Sequence, residues 1–319
     1  MKLSDNMQGA LLMSASMAGF ALNDASLKFV GADLGIFQSI FLRGIFAVFL
    51  IGSFTYFSGA FKTLPPRPDL GRIGLRSLAE IGATLAFLTA LYHMPLANIT
   101  AILQTLPLTI ALAAAVFFGE PMGRRRIIAI TAGFVGVLII IRPGAESFNV
   151  FALLGLVAVA FVTVRDLSAR RLSPNVSSLF VAFVAAFAIM ITGGIGLLLT
   201  QNWTTPSLFE LGILAMAGCF LFVGYYCSVA TMRIGEVAVV TPFRYSIMLW
   251  AMMLGWLIFG DIPDSWTIIG MMIIVGSGIF TMWRERQLRR AAKRAKSSAA
   301  PSETPFVNHD KPLNRLGIH

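Results

Sequence analysis

The sequence predicts an all-α polytopic membrane protein, with ten transmembrane helices arranged as two inverted five-helix repeats and both termini cytoplasmic. Three observations carry this. The chain of 319 residues is 57% hydrophobic and only 13% charged, about half the charged share of soluble domains. Its apolar residues gather in runs near or above the ~18 that a ~30 Å hydrocarbon core demands of a helix, whereas buried strands run about 4 to 8 residues. The cationic residues that separate these runs fall almost wholly between alternate ones.

The expected spans are 8–30, 35–58, 72–92, 97–118, 125–141, 150–167, 177–200, 208–230, 236–258 and 265–283. Turn-forming separators such as "GAFKTLPPRPDLG", "GEPMG", "RPGAESFN" and "NWTTPS" stand between them. The first run follows Lys2 as a signal peptide would, but it belongs to the repeat described below and is expected to stay as an uncleaved helix. With the N-terminus inside, the inner segments hold Lys2, Lys62, Arg67, Arg72, Arg124, Arg125, Arg126, Arg170, Arg171, Arg233 and the tail from Arg284 onward. The outer loops hold only Arg142. Cationic residues resist translocation, which fixes the orientation.

Most of the +10 net charge is therefore a topology signal rather than a nucleic-acid surface. The tail at 284–319 turns from apolar to basic and then to Ser, Ala and Pro, and is expected to be a disordered anchor beside anionic lipid. Cys219 and Cys227 share one apolar run and His93, His309 and His319 are scattered, so neither a disulfide, a metal site nor a bound cofactor is expected. "GGIG" at 193–196 lacks the Lys-Ser/Thr of a phosphate loop, which argues against an ATP-driven pump.

Two internal matches define the repeat. "FFGEPMGRRRIIAI" (117–130) returns as "IFGDIPDSWTIIGM" (258–271), and "NDASLK" (23–28) returns as "RDLSAR" (165–170). The expected units are 8–142 and 150–283. An odd number of helices per unit forces the second to insert upside down, and the charges agree: arginines follow Glu120, whereas Asp264 and no base follow Asp261. Inverted repeats suit a site at their interface that opens alternately to each side. A passive pore or a scaffold has no need of this symmetry, and an intramembrane enzyme would want a convergent acid, base or metal constellation, which the sequence lacks.

Charges inside apolar runs mark the candidate site, because each costs from ~3 kcal/mol upward in a membrane helix. Asp24 and Lys28, at i,i+4, share one face, ~24 and ~30 Å from the cytoplasmic start at 1.5 Å per residue. Lys28 reaches the outer interface and complements a helix C-terminus; Asp24 either pairs with it or faces a cavity. Arg244 in "TPFRY" lies ~12 Å into the ninth span, beside Pro242, which invites a bend. Its guanidinium is suited to grip a carboxylate, the bland alternative being a pair with Glu80 or a carbonyl. Arg43 lies ~12 Å below the outer face and either lines the cavity or bridges Asp24. Glu80 either bridges Arg76 or carries a coupling proton. Gln104, ahead of Pro107, hydrogen-bonds solute or a neighbouring helix, and Tyr92, Tyr245 and Trp250 either stack on a planar solute or pack the core. Small residues in "GFVG" (133–136), "GSG" (276–278) and Ala111–Ala115 read as ordinary helix packing.

Taken together, "ALNDASLK", "FLRG", "ALYHMPLANITAILQTLPL", "FFGEPMGRRR", "GFVGVLIIIRPG", "TPFRY" and "FGDIPDSWTIIG" resemble the EamA-type branch of the drug/metabolite transporter superfamily over nearly all of 8–283. The "ND"-to-Lys spacing, "TPFRY" and the "PDSWT" region are similar to S-adenosylmethionine uptake carriers. The resemblance implies a secondary carrier of a bacterial inner membrane, moving amino acids, their derivatives or other small organic metabolites through a central cavity. The partners it implies are that solute, membrane lipid and a coupling proton or other ion; fold-level likeness assigns neither substrate nor direction.

Overall fold

The computed structural model describes residues 4–62, 65–119, 122–143, 149–234 and 237–298. Glu120, one anchor of the internal match, and the tail from 299 onward lie outside them. The described residues form helices and no β-strand. In order these are α1 (Asp5–Phe57), α2 (Arg67–His93), α3 (Leu96–Leu103), α4 (Leu106–Phe118), α5 (Arg124–Ile141), α6 (Phe151–Arg170), α7 (Ser178–Thr200), α8 (Leu208–Ile234), α9 (Val237–Val240), α10 (Ser246–Phe259) and α11 (Ser265–Ser298). Eight stretches are long and apolar enough to cross a membrane, counting α3 with α4 as one and the 3₁₀ turn Thr241–Tyr245 with α10 as another.

Two places account for the difference from the ten expected spans. First, α1 covers 53 residues in two helical stretches that meet at a kink. At 1.5 Å per residue it is ~80 Å long, far more than one crossing needs. It is broken at Gly35, whose φ of 69° and ψ of 170° leave the helix, a conformation that glycine adopts without the Cβ penalty. The first stretch runs to Leu34, so Lys28 stands about two turns before its end rather than in the last turn. Second, α5 opens with three arginines in a row, Arg124 to Arg126, too charged for the same criterion. At the other end of the chain α11 runs to Ser298.

The 141-residue shift of the sequence match recurs in the elements. Helices α2 and α8 start at Arg67 and Leu208 and end at His93 and Ile234, each pair 141 apart. Helices α4 and α10 end at Phe118 and Phe259, and both are capped by a left-handed glycine, Gly119 and Gly260, with φ of 65° and 68°. Local chemistry sets other ends. Ser207 and Glu210 exchange backbone and side-chain bonds as a capping box at the start of α8. Pro107 and Pro242 stand at the two interruptions, the Gln104–Thr105 turn between α3 and α4 and the Thr241–Tyr245 turn before α10, because proline cannot supply the backbone donor that an unbroken helix needs.

The core joins the halves. Leu27, Val30 and Ile40 of α1 pack with Leu88 and Leu91 of α2, Ile99 of α3, Leu214 of α8 and Ile274 of α11 in one buried cluster. Apolar side chains also cover the outside: Leu199 is 80% and Phe117 70% exposed, as helices bathed in lipid require. Glycines let backbones meet. A Cβ on Gly136 of α5 would lie 2.9 Å from the Gly270 carbonyl of α11, and one on Gly270 would lie 2.6 Å from the Gly136 carbonyl, the close approach that drives association where lipid is as apolar as the side chains.

Candidate functional site

A cavity of about 430 Å³ opens between α1, α2, α6, α7 and α8, with Leu103, Leu106 and Arg244 at the helix interruptions completing its wall. Its lining extends from Ala169 and Ala182, close to the arginine-bearing helix ends, to Leu27 and Leu88 further in. Phe20, Phe87 and Leu221 make much of the wall apolar.

The polar lining is built from pairs. On α1, the Asn23 side-chain amide donates to Asp24 Oδ1 at 2.9 Å, and the Asn23 carbonyl oxygen accepts from Arg43 Nη1 at 3.4 Å. Asn23 thus stands between the acid and the base, and the bland Asp24 to Arg43 bridge is not formed. On α6, Arg165 Nε donates to Asp166 Oδ1 at 2.8 Å, while its Nη1 reaches across to Glu80 Oε1 on α2 at 3.0 Å. Glu80 also faces Arg76 Nη2 at 3.7 Å. So the Arg76 to Glu80 bridge is present and shared with a second arginine. A carboxylate removed from bulk water persists where such partners replace its hydration.

Of the residues the sequence singled out, Asp24, Arg43, Glu80 and Arg244 line this cavity. Arg244 is exposed to it, and its guanidinium has neither a hydrogen bond nor an ion pair among the described residues; the expected alternative pair with Glu80 is absent. Gln104 stands behind, its amide donating to the Arg244 backbone carbonyl at 3.3 Å and so tying the two helix interruptions together. The other candidates point elsewhere. Tyr245 buries its hydroxyl against Gly278 of α11, Tyr92 lies over Gly31 of α1, and Trp250 packs on the core cluster. Lys28 turns away from Asp24: its ammonium donates to the Met94 carbonyl at 2.8 Å, pairs with Asp261 at 3.2 Å and sits 4.8 Å from the Phe259 ring centre. At the same end Arg142 bonds Asp264, which holds that carboxyl down at about 2. The opposite end is tied by Arg72, which bonds Asp69 at 2.8 Å and the Arg171 carbonyl at 2.7 Å.

Sequence reasoning gave Arg165 and Asp166 only as repeat counterparts and passed over Asn23 and Tyr225. The signal was available: the shift that aligns "NDASLK" with "RDLSAR" places Asn23 and Asp24 on Arg165 and Asp166, and all four line one cavity.

A family model described as the EamA-like transporter family matches residues 7–142 and, a second time, 149–283. The chain belongs to this family. Among relatives of this EamA-like transporter, an S-adenosylmethionine uptake transporter of Rickettsia bellii is 24% identical over 273 residues, covering 85% of this chain and 92% of its own. A riboflavin transporter of Vibrio cholerae is 27% identical over 292 residues, covering 89% and 96%. The pseudopaline exporter CntI of Pseudomonas aeruginosa is 25% identical over 274 residues, covering 84% and 93%. A crystal structure aligns with a TM-score of 0.60 at 17% identity, over 88% of this chain and 98% of that one, a likeness of fold alone. This EamA-like protein is a multi-pass transporter of the bacterial inner membrane, and its family and relatives are transporters rather than enzymes.

Proposed function

We propose that the chain is a secondary carrier that moves a small organic metabolite, an amino acid, an amino-acid derivative or a similar solute, through the cavity by alternating access. The observation that carries this reading is the cavity itself, walled by helices of both matched units and furnished with ionic groups deep in membrane-spanning helices. Charges so placed are expensive unless they serve a pathway or a site. The reading counts ten crossings, taking 5–34 and 36–57 of α1 separately and including α5, in two inverted units at 8–142 and 150–283 with both termini and the 284–319 tail cytoplasmic. Arg244, Arg43 and Asp24 meet the solute, Glu80 sets the local field, and Gln104, Tyr92, Tyr245, Trp250 and Lys28 hold the helices that present them. The two interrupted helices support this, since carriers place their sites where helices are discontinuous.

Cells expressing the chain, compared by untargeted metabolite profiling with cells expressing an Arg244→Ala variant at equal abundance, are expected to differ in a discrete set of solutes. Identical profiles from a folded variant would overturn the assignment of Arg244. Exchange of the affected solutes in proteoliposomes should saturate and accelerate when the same solute is present on the far side; linear, unsaturable flux would mean a pore.

A further inference from the structure

Four guanidiniums, of Arg43, Arg76, Arg165 and Arg244, face the cavity, against three carboxylates, of Asp24, Glu80 and Asp166. Four of these seven groups answer one another: Arg76, Glu80, Arg165 and Asp166 form a linked chain of ion pairs with as many acids as bases. Asp24 and Arg43 are joined through the two ends of the Asn23 amide. The remainder is one cation, Arg244, exposed to the cavity and without an ionic partner among the described residues. The surplus stands whether or not Asp24 is protonated, because protonation adds to it. Around the cavity two donors, Arg43 Nε and Arg76 Nη1, are buried without a hydrogen-bond partner, against one carboxylate acceptor, Glu80 Oε2. Beside Arg244, α10 begins at Ser246, and a helix of 14 residues adds the positive end of its dipole to the same spot.

We infer that the solute is a net-anionic organic molecule with an apolar body, whose carboxylate neutralises Arg244 in the membrane-embedded cavity. A guanidinium in a low-dielectric site is poorly compensated by water alone, and its planar fork matches a carboxylate with two parallel hydrogen bonds. The walls formed by Phe20, Phe87, Leu103, Leu106 and Leu221 suit an apolar skeleton. A net cation would meet repulsion where Arg244 is exposed to it. This inference rests on the carrier reading above and deepens it. It also separates this chain from relatives named for S-adenosylmethionine, a cationic sulfonium.

The test is counterflow into proteoliposomes with three probes that share a phenylalkyl skeleton and differ in charge: 3-phenylpropionate, L-phenylalanine and 2-phenylethylamine. S-adenosylmethionine and riboflavin run alongside. The expected result is saturable exchange that favours 3-phenylpropionate over 2-phenylethylamine by about 10- to 100-fold, the range that one charge-assisted pair supplies. Arg244→Gln should erase that preference, whereas Arg244→Lys should keep its direction with weaker affinity. Melting curves and gel filtration of each variant establish folding, and the anion-to-cation ratio is a readout that a purely structural arginine would leave alone. Preference for 2-phenylethylamine or S-adenosylmethionine, or an unchanged ratio in Arg244→Gln, overturns the anion assignment and leaves the carrier standing. No saturable exchange of any of the five probes overturns both.

Discussion

Glu80 is held from two directions, by Arg165 of α6 at 3.0 Å and by Arg76 of its own helix at 3.7 Å. An acid engaged twice is a structural joint between α2 and α6, whereas Asp24 accepts from its neighbour Asn23 alone among the described residues. Removing the Glu80 charge alone leaves two guanidiniums facing one another with a single remaining partner, Asp166. Water in the cavity offsets part of that loss, so Glu80→Gln is expected to lower stability by roughly 1–3 kcal/mol, the cost of leaving a buried charged donor unsatisfied. Adding Arg165→Gln to Glu80→Gln should return part of it, because the uncompensated cation goes too. Unfolding of the detergent-solubilised protein measures both. A double variant as unstable as the sum of the singles would mean that the two side chains do not act as a pair.

Among the elements, the antiparallel contact of α5 with α11 shows how little room the helices leave. Gly136 and Gly270 each present a carbonyl to the other's missing Cβ, at 2.9 and 2.6 Å. Backbone cannot step aside as a flexible side chain can, so Gly136→Ala or Gly270→Ala should prise the pair apart and lower stability by about 1–3 kcal/mol. Gly276, also in α11, has nothing within 4 Å of its ideal Cβ. There alanine should be neutral or stabilising by up to about 1 kcal/mol, through the backbone freedom that glycine loses in a helix. Equal melting shifts at Gly270 and Gly276 would refute the packing account. Helix existence was legible from run length alone, and the interruptions were legible at Pro107 and Pro242, because a missing backbone donor is written in the residue type. In α1 the break falls at Gly35, at the edge of the gap expected between 8–30 and 35–58, while 31–34 stay helical. Depth likewise picked out Asp24, Arg43, Glu80 and Arg244, since charges stand out in an apolar run. The rotation of each helix is set by its neighbours, which is why Tyr92, Tyr245 and Trp250 face protein rather than cavity, and why Arg165 and Asp166, seen in the sequence only as repeat counterparts, were not read as cavity residues.

At the scale of the whole molecule, the repeat makes a demand that no single helix makes. Arg142, just past the end of α5, bonds Asp264, just before the start of α11. At the far end of the same helix pair, Arg125 shares a groove with Ile273, Gly276 and Phe280. Helix α5 spans 18 residues, ~27 Å at 1.5 Å per residue and close to the ~30 Å hydrocarbon thickness. Positions 125 and 264 therefore lie about one membrane thickness apart, although in the repeat their surroundings, "GEPMGRRR" and "GDIPDSW", are counterparts. Counterparts on opposite faces are what the proposed inversion requires. With Cys219 and Cys227 replaced, a cysteine placed at 264 in intact cells should react with a membrane-impermeant maleimide from outside, and one placed at 125 only after the membrane is opened. Labelling of both from one side would make the units parallel. The cavity would then lose the two-fold relation that lets one arrangement of helices serve both faces, and alternating access would have to be abandoned along with it.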